Sequence, residues 1–92
     1  MSVTFEWDPR KARDNIKNHG VSFEEATTVF SDPLSPTIPD PLHSEHEERL
    51  VIIGESYKRR LLVVVHIDQG EKIRLISSRV ATSHERKKYE ER

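Results

Sequence analysis

The chain has 92 residues, of which 34% are apolar and 34% are charged, and this length supports one small hydrophobic core. It contains no cysteine, which excludes disulfide bridges, thiolate metal sites and cysteine nucleophiles. No apolar run approaches the length of a membrane span, and the first residues lack a basic segment followed by an apolar one. We therefore expect a cytoplasmic protein that forms a single domain over residues 1–92.

Charge is distributed unevenly along the chain, although the net charge is only −1. Residues 1–56 contain 5 Lys and Arg against 11 Asp and Glu, whereas residues 57–92 contain 10 against 5. A basic second half could form a face that binds phosphates. A solvated charged surface would give the same pattern, and charge alone favours that simpler interpretation.

The chain begins with a predicted strand and a predicted helix. Apolar and polar residues alternate over residues 3–7, which is typical of a short strand. A helix then starts at Asp8, whose side chain can accept a hydrogen bond from a free amide, and the following proline suits the first helical position. Ala12 and Ile16 lie on one side of this helix, and Gly20 ends it in a left-handed conformation.

A second helix follows at once. Ser22 can cap the amide of Glu25, and Glu25 can reach back, which together make a capping box. Val21 and Ala26 are spaced to form a hydrophobic staple, and Asp32 followed by proline closes the helix. The apolar residues that share one side, and that we expect to pack on a sheet, are Phe23, Ala26, Val29 and Phe30.

Three apolar segments in the second half predict a strand meander. Residues 60–66 contain five consecutive large aliphatic residues, typical of a central strand that is apolar on both faces. Residues 49–56 and 72–79 flank this segment, and the short connections suit antiparallel hairpins rather than parallel crossovers. The proline-rich residues 33–42 predict an extended connection with an edge strand near residues 37–38.

The last element is a basic helix that opens with a second capping box, from Thr82 to Glu85. So short a polar helix is marginal alone, so it either packs through Val80, Ala81 and Tyr89 or binds a partner. The predicted fold class is α+β. It consists of a small antiparallel sheet, built from the meander, an N-terminal strand and a possible edge strand, with two N-terminal helices and a C-terminal helix.

Several kinds of site are disfavoured by the pattern. His43 and His46 are three positions apart, and a strand would send them to opposite faces, so we expect no metal site. A Ser-His-Asp arrangement around His66 and Asp68 lacks the nucleophile elbow. The three glycines are too scattered for a loop that cradles phosphate. We therefore expect neither a metal nor another cofactor.

The remaining candidates are arginines at the strand ends and an ionisable cluster before the meander. Cleaving RNA without a metal requires a base for the 2′-hydroxyl, a cation for the charged phosphorane and an acid for the leaving oxygen. His43, His46 or Glu48 could exchange protons. The arginines that could hold phosphate through forked hydrogen bonds are Arg49, Arg60 and Arg79. The same arginines could instead pair with carboxylates of the first half, and that alternative stays open.

Four sequence motifs, FEWDP, HGVSFEEA, HSEHEER and ISSRVAT, occur in order between Phe5 and Tyr89. Through them the chain resembles the BrnT family of bacterial toxins, small ribonucleases of type II toxin-antitoxin systems. The resemblance implies a fold like that of RelE toxins and a metal-independent endoribonuclease that inhibits translation. It also implies a partner antitoxin with a ribbon-helix-helix DNA-binding domain, and contact with DNA only through the complex of the two proteins.

On the positions that match these motifs we expect five catalytic residues: His43, Glu48, Arg49, Arg60 and Arg79. Other basic residues, which we expect to contact RNA, are Arg59, Arg74, Arg86 and Lys87. The alternative is a non-catalytic module that binds RNA or the antitoxin and acts as a co-repressor. In that case the ionisable cluster would be structural.

Overall fold

The structure is a computed structural model that describes residues 3–40 and 48–91. The elements in chain order are β1 Thr4–Glu6, α1 Pro9–His19, α2 Phe23–Thr27, a 3-10 helix Thr28–Ser31, β2 Thr37–Pro39, β3 Leu50–Glu55, β4 Leu61–Asp68, β5 Lys72–Val80 and α3 Ser83–Glu90. Within these two ranges, no helix is long and apolar enough to cross a lipid bilayer.

The strands form one sheet in the order β1-β5-β4-β3-β2, with β4 at its centre. The prediction of a central aliphatic strand is confirmed, because Leu61 through Val64 are all buried. β3, β4 and β5 form the antiparallel meander, and β2 is the edge strand. β1 instead pairs parallel to β5, so the sheet is mixed rather than wholly antiparallel. These two strands lie far apart in the chain, and no hairpin fixes their relative direction.

Helices α1 and α2 pack on one face of this sheet. The buried core between them consists of Val21, Phe23, Ala26, Val29, Ile52, Leu62, Val64, Ile73 and Leu75. The predicted apolar side of α2 is confirmed, since Phe23 and Ala26 are fully buried. A Cβ on Gly54 would lie 2.8 Å from Cγ1 of Val29, so glycine at this position lets the 3-10 helix approach β3 closely.

The inner side of α1 differs from the expectation. Ile16 is 52% exposed, whereas Asn15 is buried. The Asn15 amide donates to the carbonyls of Val21 and Ser78, both at 2.8 Å, and its oxygen accepts from the Ser78 amide at 3.0 Å. A polar side chain therefore attaches α1 to β5. The spacing of apolar residues in the sequence does not predict a contact of this kind.

The helix starts follow the predicted caps with one difference. The Asp8 side chain caps α1, and the backbone hydrogen bond that it accepts lowers the pKa of its carboxyl. Gly20 ends α1 at φ 68°, and the Ser22 hydroxyl accepts from the Glu25 amide at 3.0 Å. The prediction of the other half of that capping box is wrong, because the Glu25 carboxylate turns inward and binds Arg60. An unpaired buried charge costs more free energy than a helix amide that lacks a side-chain cap.

The capping box of α3 is confirmed. The Thr82 hydroxyl accepts from the Glu85 amide at 3.2 Å, and the Glu85 carboxylate accepts from the Thr82 amide at 2.9 Å. Near the other end of α3, the Tyr89 hydroxyl donates to Asp32 at 2.6 Å. The same Asp32 oxygen accepts from the amide of Glu55 in β3. The end of α3 therefore packs through Tyr89 near the end of β3, as one of the two alternatives predicted. Val80, which that alternative also named, is instead 42% exposed.

Candidate functional site

The sheet face opposite α1 and α2 is the candidate site. Side chains alternate along a strand, so the neighbours of the core residues Leu62 and Val64 point to this other face. Val63 lies opposite Arg79, and Val65 lies opposite Ser77. We call this surface the second face and define it by Val51, Val63, Val65, Arg74, Ser77 and Arg79.

Helix α3 covers one end of the second face. Leu61 and Val63 are only 3% and 4% exposed, although they lie outside the core beneath α1 and α2. Arg79, opposite Val63, forms an ion pair with Glu85 of α3. The other end, around Val65 and Arg74, is partly exposed. The site is therefore a strip of sheet bounded on one side by the start of α3.

The predicted arginines do not lie together. Arg60 immediately precedes β4, whereas Arg49 precedes Leu50, which lies opposite His66 near the other end of that strand. These two levels along β4, one beside Arg60 and one beside Arg49, are roughly 20 Å apart at about 3.3 Å a residue. One phosphate therefore cannot contact both Arg49 and Arg60. Arg79 lies between the two levels, opposite Val63.

Arg60 is bound to a buried carboxylate. Its Nε donates to Glu25 at 3.0 Å, and its Nη2 donates to the second oxygen of Glu25 and to the Gly20 carbonyl. The Ser56 hydroxyl also donates to Glu25, at 2.6 Å. The hydrogen bond from Arg60 lowers the pKa of the Glu25 carboxyl and raises the pKa of the guanidinium. The forked edge that would bind a phosphate is thus occupied.

Arg79 is paired differently. Its Nη1 and Nη2 donate to the two oxygens of Glu85, each at 2.8 Å, while 42% of the side chain remains exposed. This pair lowers the pKa of the Glu85 carboxyl to about 2 and raises the pKa of the Arg79 guanidinium. Glu85 is therefore ionised throughout the neutral range, and Arg79 keeps an exposed side.

The residues expected to contact RNA lie at several places on the surface. Arg74 donates to Glu6 at 3.2 Å across the β1–β5 pair. Arg86 lies 3.8 Å from Glu90 within α3, and Lys87 in the same helix is exposed. Arg59 is exposed in the turn before β4. Its φ of 63° is positive, unlike that of any other described non-glycine residue.

The ionisable cluster before β3 is described only at its end. His43 and His46 lie outside the described residues. Glu48 is exposed and Arg49 is half-buried, directly before β3. Among residues 3–40 and 48–91, no three His, Asp or Glu side chains are grouped in a way that could hold a metal ion.

Two carboxylates that the sequence analysis did not single out as arginine partners are Glu25 and Glu85. Glu85 could have been found, because it is the third helical residue of a capping box that begins just after Arg79. Glu25 gave no such signal, since its capping pattern predicts a contact with Ser22 rather than with Arg60.

Comparison with known proteins identifies relatives for this architecture. Residues 7–85 match the family model described as the ribonuclease toxin BrnT of type II toxin-antitoxin systems. The crystal structure of the Brucella abortus ribonuclease toxin BrnT is similar, with a TM-score of 0.65 and 25% sequence identity. The alignment covers 89% of this chain and 100% of the Brucella chain. Among curated protein sequences, none matches.

Proposed function

This chain belongs to the BrnT family of ribonuclease toxins of type II toxin-antitoxin systems, and from that membership we propose that it is a metal-independent endoribonuclease. It cleaves RNA by attack of the 2′-hydroxyl on the adjacent phosphate and thereby inhibits translation in the cytoplasm. The observation that carries this proposal is the family match over residues 7–85, which includes α1, α2, β2 to β5 and the start of α3.

Arg79 is the residue that we assign to the scissile phosphate. It lies on the second face, and its guanidinium is held at one edge by Glu85 while the side chain remains 42% exposed. A guanidinium in this setting can donate two parallel hydrogen bonds to a phosphate and stabilise the charge that develops on it. Arg79 thus supplies the cation that cleavage without a metal requires.

Proton transfer is assigned to the segment before β3. Glu48 is an exposed carboxylate next to Arg49, and His43 precedes them in the chain. A carboxylate or imidazole at this position could take the 2′-hydroxyl proton or protonate the leaving oxygen. Arg49 would bind a phosphate at this end of the sheet, whereas Arg60, which binds Glu25, would keep α2 and β4 in place.

RNA outside the cleaved bond would contact exposed cations on both sides of this strip. We assign this role to Arg59, Arg74, Arg86 and Lys87, whose charges attract the phosphate backbone without reading sequence. The type II family implies a cognate antitoxin. We propose that this antitoxin contains a ribbon-helix-helix domain and that only the complex binds DNA.

The second candidate function is a binding module that represses transcription together with the antitoxin and cleaves nothing. One observation favours it. Arg60, Arg74 and Arg79 are all paired with carboxylates, so the sheet is less basic than its arginine content indicates. A neutralised face of this kind would suit contact with a protein.

Incubating purified protein with RNA and a chelator separates these two functions. The nuclease should release fragments that carry 2′,3′-cyclic phosphate ends, while the binding module should leave the RNA intact. Arg79→Ala should abolish cleavage, and Arg79→Lys should weaken it, because lysine lacks the fork. Circular dichroism of each variant checks that it is folded. Cleavage that stops on chelation, or that survives in Arg79→Ala, would contradict the proposed mechanism.

A further inference from the structure

The pair between Arg79 and Glu85 joins the last strand to the first turn of α3. Nη1 and Nη2 of Arg79 each donate to a different oxygen of Glu85 at 2.8 Å. The carboxylate is itself held in place, because it accepts from the Thr82 amide at 2.9 Å. The backbone start of α3 therefore fixes the carboxylate, and the carboxylate fixes the guanidinium.

This arrangement leaves one edge of the guanidinium open. Arg79 has five N–H groups, and Glu85 accepts one from each terminal nitrogen. A third N–H, on Nη1, points to the Val80 carbonyl at 3.4 Å. The Nε–H and the remaining Nη2–H have no partner among residues 3–40 and 48–91, and together they form a side-on fork. Such a fork matches two oxygens of a phosphate.

We propose that Glu85 is a positioning residue for Arg79, which it holds so that the Nε–Nη2 edge faces an RNA phosphate. The inference rests on the proposed function, in which Arg79 contacts the scissile phosphate. A freely rotating arginine would lose side-chain entropy when RNA binds, whereas the paired arginine has already lost most of it. Glu85 thus increases the fraction of molecules in which the Nε–Nη2 edge of Arg79 is already oriented toward the RNA phosphate.

Competition with RNA is the opposite role that Glu85 could have. A competing carboxylate would occupy the edge that phosphate uses, as Glu25 occupies the Nε–Nη2 edge of Arg60. Glu85 instead occupies the end of Arg79 that is formed by the two terminal nitrogens. The comparison of the two pairs therefore assigns positioning to Glu85.

The chain offers a substitution that separates charge from helix capping. Glu85→Gln retains an oxygen for the Thr82 amide, because glutamine also completes a capping box, but it turns an N–H group toward Arg79. Glu85→Asp keeps the charge on a shorter side chain. Glu24→Gln, an equal change of charge on an exposed residue of α2, is the matched control.

The first measurement is the NMR signal of the Arg79 Nε–H, identified by its loss in Arg79→Ala. The probe is an RNA oligonucleotide with 2′-O-methyl groups, which cannot be cleaved. We expect the signal to shift on addition of RNA in the parent and in Glu24→Gln, and to lose most of this shift in Glu85→Gln. The inference would be overturned if RNA does not shift the signal of the parent, or if the shift in Glu85→Gln is as large as in the parent.

Kinetics give the second measurement. Glu85→Gln should lower kcat by about 10-fold or more, as the loss of an orienting partner does at other sites, with a smaller change in KM. Glu85→Asp should recover part of the loss, and Glu24→Gln should cleave like the parent. Equal or faster cleavage by Glu85→Gln would indicate competition instead. If the parent cleaves no RNA but its Nε–H shift depends on Glu85, the nuclease proposal fails and the positioning role stands.

Discussion

The guanidinium of Arg60 binds the carboxylate of Glu25, which lies 35 positions earlier in the chain and is 1% exposed. Ser56 donates to the same carboxylate. The three residues connect α2 to the turn between β3 and β4, so this cluster joins the helical layer to the sheet. An ionised carboxylate in a buried position needs a compensating charge, so the stability of the folded protein depends on Arg60.

Replacing Arg60 by alanine should therefore destabilise the fold. We expect the free energy of unfolding to fall by about 2–3 kcal/mol, less than for a fully buried pair because the Arg60 side chain is 35% exposed. Urea denaturation followed by circular dichroism measures this change. Arg86→Ala is the control, since its exposed pair with Glu90 should contribute less than about 0.5 kcal/mol. An Arg60→Ala variant as stable as Arg86→Ala but inactive would move Arg60 into the RNA site.

Mild acid should weaken the fold through His66. This residue is buried, and its ring makes a T-shaped contact with the ring of Phe30, with centroids 4.8 Å apart. Burial lowers the pKa of His66 below its usual 6.5, against weaker opposing effects of the Val64 carbonyl and Asp68. The unfolded chain then binds a proton more readily than the folded chain does. The free energy of unfolding should be insensitive to His66 above pH 6.5 and should fall below that pH.

The variant His66→Phe removes this titration while keeping an aromatic ring beside Phe30. Urea midpoints of the parent and the variant, measured from pH 8 to pH 5, should differ by a constant amount above about pH 6.5 and diverge below it. Parallel curves over the whole range would contradict the prediction. At lower pH, Glu85 adds a loss of its own, because its stabilisation disappears as the pH falls from 4.5 to about 2.

Local signals predicted most of the fold. The aliphatic run at residues 60–66 became the centre of the sheet, and Thr82 with Glu85 formed the capping box that starts α3. Both signals depend on residues within a few positions of one another, so the sequence contains them directly. The direction of β1 is not local, since its partner β5 is formed almost seventy residues later, as Thr4 opposite Lys72 illustrates.

The candidate site was harder to predict for the same reason. An arginine at a strand end has the same appearance in the sequence whether it faces RNA or a carboxylate. Arg60 binds Glu25, and Arg74 binds Glu6, both of which come from the first half of the chain. The alternative that Arg49, Arg60 and Arg79 pair with carboxylates of the first half therefore describes Arg60, whereas Arg79 pairs with Glu85 of the second half. Only the folded structure distinguishes the occupied fork of Arg60 from the open edge of Arg79.

Replacing Arg59 by glycine should stabilise the fold and weaken the binding of RNA. Its φ of 63° is costly for a residue with a Cβ, and glycine would adopt it freely. Arg59→Gly should raise the free energy of unfolding by about 0.5–1 kcal/mol. It should also weaken the binding of 2′-O-methyl RNA, because a cation is lost. Arg59→Ala is the control that removes the charge and keeps the strain. If Arg59→Gly binds RNA as tightly as the parent, Arg59 does not contact RNA.

The charge of the second face offers the last prediction. Glu6 lies 3.2 Å from Arg74 and 3.9 Å from Lys72, so one carboxylate partly neutralises two cations. Glu6→Gln should therefore tighten the binding of 2′-O-methyl RNA and make it more sensitive to salt. The slope of log affinity against log salt should steepen by about 0.7 for each additional phosphate contact. Fluorescence anisotropy between 50 and 200 mM salt, as approximate limits, measures both quantities.

The matched control is Glu24→Gln, which makes the same change of charge on α2, on the other side of the sheet. It should leave the slope nearly unchanged, because exposed charges separated by more than a Debye length of about 8–10 Å interact weakly in this range of salt. An equal effect of the two substitutions would mean that RNA responds to net charge alone. A steeper slope in Glu6→Gln alone would place the phosphate backbone beside Arg74, on the strip of sheet that also carries Arg79.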